Sequence, residues 1–228
     1  RVKTPQAPFV AEGLFTHFAM EKAPGDRAYT RGQLHALKPW IAALREAGFK
    51  PLIHACATAG MLNYPEARFD LVRVGAGCYG MWPSPETKAA HGKKLTLAPT
   101  LSWRTVIAER KALPRGSGVG YDLSYTLTRD STIAICPVGY WHGFARDLSS
   151  VGEVLVEGKR APVIGRVAMD MLTIDITDIP RARVGSVVTL IGTDGRAAIS
   201  AEEVAAKLST TAYEVLTRLN PLIERIYV

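Results

Sequence analysis

The sequence places a permanently charged side chain inside a run of apolar, strand-like residues. Arg73 occupies this run, and a buried guanidinium is unfavourable unless it has a specific partner. That partner is either Asp70, in a structural ion pair, or a bound ligand. The run ends in the small residues Gly75, Ala76 and Gly77, which let backbone amides approach an anion. The segment is therefore a candidate anion site, with a tight turn as the alternative interpretation.

Two other side chains are of types that hold or transfer protons. His17 ends an apolar run at residues 11–18, which would place it at the catalytic rim of an α/β barrel. Tyr121 lies in loop-like sequence, and a tyrosine acts as a base near neutral pH only where cations or hydrogen bonds favour its phenolate. On residue type alone, a core or capping histidine and an ordinary loop tyrosine are the alternatives.

The first 90 residues, which must position Arg73 and His17, alternate strand-like and helix-like patterns. Thr30 and Gln33 form a capping-box pattern that predicts a helix start, and Gly48 marks the helix end after apolar residues at helical spacing. A shorter helix is predicted at 59–64. Strands are predicted at three apolar runs, 11–18, 51–57 and 70–75. This order predicts a parallel sheet covered on both faces, as in α/β barrels and doubly wound folds.

From about residue 95 the pattern becomes that of an antiparallel β domain. Turn signals at 157–158 and 194–195 separate the strand-like runs, and apolar residues alternate with polar ones over 172–176, the period of a strand with one buried face. Ser200 and Glu203 predict the start of one helix among the strands. The predicted strand-like runs are 97–109, 131–138, 152–156, 161–176 and 184–191.

The predicted fold class is therefore α/β plus β, in two domains. Residues 1–90 would form part of a (β/α)8 barrel, and residues 95–228 a mainly antiparallel β domain, with a linker at 81–94 rich in Pro, Lys and Gly. A closed barrel needs eight strand and helix units and typically about 250 residues. Because an open edge exposes unpaired backbone groups, we expect the first half of the barrel to lie outside this sequence or on another polypeptide.

Composition excludes several classes of protein. The 228 residues are 47% hydrophobic and 21% charged, as in globular proteins. The net charge of +7 comes from scattered basic residues, which argues against nucleic-acid binding. No apolar stretch could span a bilayer, and the first ten residues lack the core of a signal peptide, so a cytoplasmic protein without membrane association is the default. Three cysteines without metal-binding spacing predict reduced, buried thiols and no metal site: Cys56, Cys78 and Cys136.

Six short motifs together resemble the motif series of alanine racemases, in the same order and spacing. They are GLFTHF at 13–18, DLVRVGAGCYG at 70–80, VGY at 119–121, PVGY at 137–140, GRVAMD at 165–170 and AYEV at 212–215. The resemblance covers nearly the whole chain. It implies an isomerase that interconverts L- and D-alanine through an aldimine of pyridoxal 5'-phosphate, as a homodimer whose active sites are shared between subunits. D-Alanine from such an enzyme supplies peptidoglycan for the cell wall.

The resemblance also implies which residues contact the cofactor. Arg73 would donate to the pyridine nitrogen, which weakens the ring as an electron sink and suits proton exchange. His17 would lie against the ring, and Thr58 stands where the family usually has serine. The implied cofactor-binding residues are Arg73, His17, Thr58, Gly75, Ala76 and Tyr213.

Catalysis in this family uses two bases on opposite faces of the substrate. By resemblance, Tyr121 is one base and reaches the cofactor of the partner subunit, while Tyr140 and Met169 line the pocket for a small amino acid. The other base is the lysine that forms the Schiff base. No segment of this sequence resembles that lysine's motif, so the chain alone is predicted to be inactive.

One departure from the family pattern lies near the predicted substrate entrance. Trp141 and His142 stand where the family usually has a small residue and an aspartate, which removes a negative charge and adds bulk. Alternatives to an alanine racemase are therefore a broad-specificity or serine racemase, or an inactive remnant that acts as a dimerisation module.

Overall fold

The structure is a computed structural model that describes residues 10–22, 25 and 27–228. The chain divides into two compact units, residues 1–98 and 99–228. Residues 1–9, which include most of the segment used to predict the absence of a signal peptide, lie outside the described residues. Within the described ranges, no helix combines the length and apolar character needed to cross a membrane.

Unit 1 contains parallel strands joined by helices, as predicted. Strand β1 (Gly13–Phe15) pairs in parallel with β2 (Leu52–His54). Helix α1 (Ala28–Glu46) connects the two strands, and helix α2 (Thr58–Asn63) follows β2. Buried side chains of α1 pack into a core with residues from β2 and the segment after α2: Leu34, Leu37, Ile41, Ile53 and Tyr64. The helix ends at Glu46, and Gly48 follows with φ 83°, at the predicted position.

The third predicted strand, at 70–75, is reduced to a single parallel bridge between Leu71 and His54. Asp70 N–H donates to Ile53 O at 3.0 Å. The Asp70 carboxylate in turn accepts the Ile53 N–H at 2.8 Å, so a side chain replaces the main-chain acceptor that a regular ladder would use. Residues 70–75 nevertheless run alongside β2, which keeps Arg73 next to the carboxyl end of that strand.

The predicted start of α1 is wrong, because Thr30 and Gln33 are not its cap. The helix begins at Ala28. Thr30 Oγ1 donates to Met20 O at 2.8 Å, and Gln33 Oε1 accepts the Ala19 N–H at 3.0 Å. Both side chains therefore hold the segment that follows β1, instead of satisfying the first amides of their own helix.

The predicted linker at 81–94 contains an ordered helix, α3 (Pro85–His91). Ser84 Oγ accepts the Thr87 N–H at 3.2 Å, which caps the helix start. The buried Thr87 hydroxyl donates to Lys22 O at 3.0 Å, and His91 Nε2 lies 2.8 Å from Asn63 Oδ1. These bonds fix α3 within unit 1, so the linker prediction is wrong for this segment.

Unit 2 is built from antiparallel strands, as predicted. Its strands are β3 (Trp103–Val106), β4 (Glu109–Leu113), β5 (Gly118–Val119), β6 (Tyr125–Thr126), β7 (Ser131–Cys136), β8 (Glu153–Val156), β9 (Lys159–Pro162), β10 (Leu172–Asp175), β11 (Val187–Asp194) and β12 (Ala197–Ile199). One sheet has the order β10-β7-β4, and a second has β12-β11-β8-β9 with β3 also paired to β11. A bridge between Val163 and Ile174 joins β10 to the segment after β9. The predicted run 161–176 is therefore two strands separated by a loop.

The alternation predicted in β10 is confirmed. Leu172, Ile174 and Ile176 are almost completely buried, while Thr173 and Asp175 are partly exposed. Each such buried side chain contributes about 1.5–3 kcal/mol of hydrophobic free energy. This core gives unit 2 a rigid base for its loops.

Helix α4 (Ala201–Lys207) and helix α5 (Ala212–Thr217) complete unit 2. Ser200 Oγ accepts the Glu203 N–H at 3.1 Å, as the capping pattern predicts. The Glu203 carboxylate instead accepts from Arg160 NH2 at 3.0 Å, so it bonds to a strand residue.

The cysteine prediction holds for two of the three thiols. All three are free; Cys56 and Cys136 are buried, but Cys78 is exposed. Burial raises the pKa of the Cys56 thiol to about 11 and that of Cys136 to about 12. The prediction is wrong for Cys78, because it lies in a short turn at the surface of unit 1.

Candidate functional site

Arg73 is held by two imidazoles and two backbone carbonyls. Its NH1 lies 2.7 Å from His54 Nδ1, and its NH2 lies 3.2 Å from His17 Nδ1. Since a guanidinium only donates hydrogen bonds, both ring nitrogens accept and carry no proton. NH2 also lies 3.0 Å from Thr16 O and 3.2 Å from Ala55 O, so its two N–H groups are shared among three acceptors. The structure thus brings the predicted residues Arg73 and His17 together and adds His54.

Asp70 is not the partner of Arg73, because its carboxylate bonds to the Ile53 amide. Among the described residues, none of the ion pairs includes Arg73. The guanidinium carbon instead lies 5.4 Å from the centre of the Phe15 ring, and that ring stacks on His54 at 5.4 Å. The positive charge of Arg73 is therefore fixed by dipoles and a π face, which suits a donor to a neutral or anionic ligand.

Thr58 and the glycine-rich turn form a small cradle of hydrogen-bonding groups. Thr58 Oγ1 accepts the N–H groups of Gly75 at 3.2 Å and Gly77 at 3.3 Å. Ala76 begins the 3-10 turn Ala76–Tyr79, so its amide has no acceptor inside the turn. A Cβ added to Gly77 would lie 3.0 Å from Thr58 Cγ2, so this close approach favours glycine. The predicted residues Thr58, Gly75 and Ala76 thus converge.

A buried carboxyl group lies beside the cradle. Glu21 is only 7% exposed, and its Oε2 accepts the Ala57 N–H at 3.4 Å. Burial raises the pKa of Glu21, while the Ala57 hydrogen bond and the charge of Arg73 act in the opposite direction. Unit 1 therefore places an acid next to the cradle formed by Thr58 and the glycine-rich turn.

Tyr121 projects from a loop of unit 2 that follows β5. Its side chain is 71% exposed, and it opens the short turn Tyr121–Leu123. Asp122 has a φ of 57°, a backbone conformation that is uncommon for residues with a side chain. The Asp122 carboxylate forms an ion pair with the Arg166 guanidinium. The backbone of the turn is thus tied to a neighbouring loop, while the phenol is accessible.

Tyr140 and Met169 lie on adjacent loop segments of unit 2. Tyr140 N–H donates to Ala168 O at 3.0 Å, and Trp141 N–H donates to Met169 O at 2.9 Å. Both predicted pocket residues are about half exposed. Because Arg166 and Met169 belong to the same loop, this segment links the turn of Tyr121 to that of Tyr140.

The turn that carries Tyr140 is closed by His142. Gly139 N–H donates to His142 Nδ1 at 3.2 Å, so Nδ1 is unprotonated in this arrangement. The Trp141 and His142 rings meet edge to face with centres 5.0 Å apart. Asn220 Nδ2 donates to Trp141 O at 2.9 Å, which fastens the turn to the segment after α5.

Tyr213 lies in the first turn of α5 and is partly exposed. It belongs to unit 2, whereas Thr58 and Gly75 belong to unit 1. Its implied contact with a phosphate group therefore stays a prediction.

Unit 2 also contains a cavity of about 250 Å³ whose walls include Trp103, Phe144 and Leu190. Glu214 and Arg218, paired at 2.7 Å, supply part of its polar lining. None of the predicted site residues lines this cavity. The candidate site is therefore assigned to the two groups of residues above, since they contain the residues that the sequence predicts for cofactor binding and proton transfer.

Two residues of the site have no assigned role in the sequence interpretation, His54 and Glu21. His54 stands at the end of a strand next to Arg73, so its position on the rim was an available signal. Glu21 follows β1 in a segment without periodic pattern, and nothing local in the sequence marks it.

Two family models match this chain, and they divide it at about the same place as the two compact units. Residues 2–83 match the family described as alanine racemase, N-terminal domain, and residues 100–227 match alanine racemase, C-terminal domain. An alanine racemase of Leptospira interrogans is 40% identical over 221 residues, which are 95% of this chain and 57% of that protein. The chain thus spans a little over half the length of this relative.

Solved structures agree with this match. The alanine racemase of Streptomyces coelicolor is 36% identical, with a TM-score of 0.87 over 96% of this chain and 56% of that one. The alanine racemase of Bartonella henselae, solved with covalently bound pyridoxal phosphate, is 29% identical, with a TM-score of 0.82 over 95% of this chain and 56% of that one. The fold is accordingly part of a (β/α)8 barrel followed by an antiparallel β domain. This chain belongs to the alanine racemase family.

Proposed function

We propose that this chain is the cofactor-cradle and β-domain portion of an enzyme that interconverts L- and D-alanine with pyridoxal 5'-phosphate. The observation that carries the proposal is the arrangement of Arg73, fixed by His54 and His17 without an acidic partner among the described residues. Family membership supports the same activity. The cradle at Thr58 supplies a separate group of donors for the cofactor phosphate.

The residues of unit 1 fit this cofactor chemically. A phosphate accepts hydrogen bonds, which the Thr58 hydroxyl can donate and which the Ala76 amide, without an acceptor inside its own turn, can also donate. The amides of Gly75 and Gly77 donate to Thr58 Oγ1 and hold that hydroxyl in place. A cation that cannot lose its proton, Arg73, suits the pyridine nitrogen of the cofactor, because it would donate to that nitrogen and disfavour its protonation. Pyridoxal phosphate, when bound, delocalises the negative charge left on the substrate after its α-proton is removed.

Tyr121 is the proposed proton-transferring residue of unit 2. Its exposed phenol sits on a turn held by the ion pair between Asp122 and Arg166, so it can reach a second molecule without rearrangement of the β domain. We place it in the active site of a partner subunit. Apolar side chains exposed around it support a homodimer interface: Tyr121, Leu123, Tyr140, Trp141, Met169 and Met171.

The second base is a lysine that lies outside this sequence. The chain alone is then expected to bind pyridoxal phosphate reversibly and to leave alanine unchanged. The first experiment is the intact mass of the protein purified from its source after borohydride reduction, which fixes a lysine-bound cofactor covalently. A mass well above 24.7 kDa with a pyridoxyl adduct supports the proposal. A mass near 24.7 kDa without an adduct leaves either the dimerisation module or a subunit that needs a separate lysine-bearing polypeptide, and it overturns the enzymatic proposal for this chain.

The role of Tyr121 is tested with Tyr121→Phe in the complete enzyme. Enantiomers have equal free energies, so kcat/KM must stay equal in both directions, and the informative measurement is α-proton exchange in deuterated water. We expect racemisation to fall at least about 100-fold, the usual contribution of a general base, while one enantiomer still exchanges its α-proton. Retention of full racemisation would contradict the role.

A broad-specificity or serine racemase is the second candidate. The observation that favours it is Trp141-His142 beside Tyr140, because an indole and an imidazole change the size and polarity of the predicted entrance. Comparing kcat/KM for alanine, serine and larger amino acids separates the candidates. A preference for alanine of about tenfold or more over all others, a difference of about 1.4 kcal/mol, would retain the first proposal.

A further inference from the structure

Glu21 is fixed in place by contacts from three helices to its own segment. Thr30 of α1 donates to Met20 O at 2.8 Å, and Asn63 of α2 donates to Glu21 O at 2.8 Å. Thr87 of α3 donates to Lys22 O at 3.0 Å. Side chains thus determine where this irregular segment lies, and they direct the Glu21 carboxyl group inward.

The Glu21 carboxyl group caps α2 from a distance of 36 residues along the chain. Ala57, the residue before α2, makes no side-chain cap. Glu21 Oε2 accepts the Ala57 N–H, and the carboxyl group also receives a backbone hydrogen bond from Gly60. A Cβ added to Gly60 would clash with Oε2, so the carboxyl oxygen occupies the space that a side chain would need there.

The capped helix begins at Thr58, the residue whose hydroxyl holds the amides of Gly75 and Gly77. Any shift of the first turn of α2 therefore moves Thr58 Oγ1 relative to the glycine-rich turn. The carboxyl group of Glu21 also takes up amide donors of α2. The donors of the cradle that remain for an anion are then the Thr58 hydroxyl and the Ala76 amide, since the Gly75 and Gly77 amides donate to Thr58 Oγ1.

We propose that Glu21 is a positioning residue of the phosphate cradle, which it holds in shape by capping the first turn of α2. This inference rests on the proposed function for the identity of the anion, pyridoxal phosphate. The cap itself is a property of the chain without the cofactor, so the two can fail separately.

The test compares four single variants of the full chain. Glu21→Ala removes the cap, and Glu21→Gln keeps an oxygen that accepts hydrogen bonds. Gly60→Ala keeps Glu21 but displaces its carboxyl group, and the new Cβ also lies 3.2 Å from Cys56 Cβ. Glu66→Ala is the matched control, because Glu66 is an exposed acid of the same unit that forms a long ion pair, 3.7 Å, with Arg31.

The first measurement is amide hydrogen exchange at residues 74–78 in the cofactor-free protein, with thermal unfolding to verify that each variant is folded. We expect exchange at Gly75 and Gly77 to become at least about tenfold faster in Glu21→Ala and Gly60→Ala, by analogy with the loss of supporting contacts around other ligand sites. Glu21→Gln and Glu66→Ala should stay within about twofold of the parent, because neither removes the acceptor. Equal exchange in Glu21→Ala and the parent would overturn the inference.

The second measurement is the affinity for pyridoxal phosphate, followed by its absorbance, with inorganic phosphate as competitor. Glu21→Ala and Gly60→Ala should bind about 10- to 100-fold more weakly, and Glu21→Gln should restore affinity. A fifth variant, the double variant Glu21→Ala/Gly60→Ala, should bind about as weakly as Glu21→Ala alone. An alanine side chain at position 21 offers no oxygen for the new Cβ to displace, and the remaining close contact of that Cβ is with Cys56 at 3.2 Å. If the parent chain binds no pyridoxal phosphate, the proposed function fails, and the exchange experiment still decides the role of Glu21.

Discussion

Replacing Arg73 by methionine tests how much of the cofactor-binding edge depends on a single side chain. Methionine keeps most of the length and apolar stem of arginine but has no donor. The change leaves Thr16 O and Ala55 O without the charged donor that they share at 3.0 and 3.2 Å. It also frees the imidazoles of His54 and His17.

The expected loss follows from these contacts. A hydrogen bond to a charged group contributes about 1.5–3 kcal/mol, so the two carbonyl contacts set an upper range of about 3–6 kcal/mol. Arg73 is only partly buried, so water can replace some of the lost hydrogen bonds. Removing a partly buried charge also avoids its desolvation cost, which reduces the net loss of stability further. We therefore expect unit 1 to lose about 2–4 kcal/mol of stability. Arg73→Lys should lose less stability than Arg73→Met, because an ammonium group retains the positive charge. Some loss should remain, because an ammonium group cannot reach all four acceptors.

Amide hydrogen exchange distinguishes a local effect from a global one. In Arg73→Met, exchange should quicken in peptides covering 12–18 and 52–58 by about 30- to 700-fold, since each 1.4 kcal/mol corresponds to a factor of ten. Peptides of β7 and β10 should be unchanged. Ile174→Ala is the reciprocal control, because Ile174 is fully buried in unit 2 and its truncation destabilises by about 2–5 kcal/mol.

Two results would refute this reasoning. Unchanged exchange in unit 1 would mean that the four contacts of Arg73 do not support the fold, and that its role is confined to a ligand. Equal acceleration in both units would mean that Arg73 supports a single cooperative structure, contrary to the division at residue 98.

Three further changes have expected outcomes. Tyr64→Phe should raise stability by about 1 kcal/mol in urea unfolding, because the buried Tyr64 hydroxyl has no hydrogen-bond partner among the described residues; a clear loss would reveal a partner. Thr58→Val should weaken pyridoxal phosphate binding at least about tenfold in an absorbance titration, whereas Thr58→Ser should bind normally, since only valine removes the acceptor of two amides; equal binding by both would contradict the cradle. Burial raises the pKa of Glu21 above 4.5, so the folded state binds the proton of the Glu21 carboxyl group more tightly than the unfolded state does. The stability that this protonated carboxyl group contributes is lost as the pH rises from 4.5 through the raised pKa. Unfolding free energies measured across this range should fall more steeply with pH in the parent than in Glu21→Gln, and identical slopes would contradict the assignment.

The sequence predicts those elements whose contacts lie within a short stretch of the chain. The apolar spacing of α1 and the alternation of β10 follow from periodicity alone, and both are confirmed by burial. The glycine-rich turn at 75–77 was identifiable for the same reason. Its small residues are consecutive in the sequence, so this short run by itself predicts that backbone amides can approach a neighbouring group closely.

Contacts between distant parts of the chain were not predictable. Arg73 bonds to Thr16, 57 positions earlier, and Glu21 bonds to Ala57. Thr30 and Gln33 illustrate the same limit, because their spacing fits a capping box but their side chains bond to the segment after β1. A local motif states what a side chain can do, and tertiary structure determines which of several acceptors it reaches.

His142 shows how the same limit affects the interpretation of a departure from the family motif. At the level of sequence, imidazole in place of carboxylate is a change of charge at the substrate entrance. In the structure, the Gly139 N–H donates to His142 Nδ1 at 3.2 Å, and a carboxylate at this position could accept the same hydrogen bond. The backbone role of the residue is therefore compatible with both side chains, provided that Nδ1 carries no proton. The substitution then changes charge and bulk without removing the acceptor that closes the turn of Tyr140, so we expect it to affect selectivity more than the integrity of this turn.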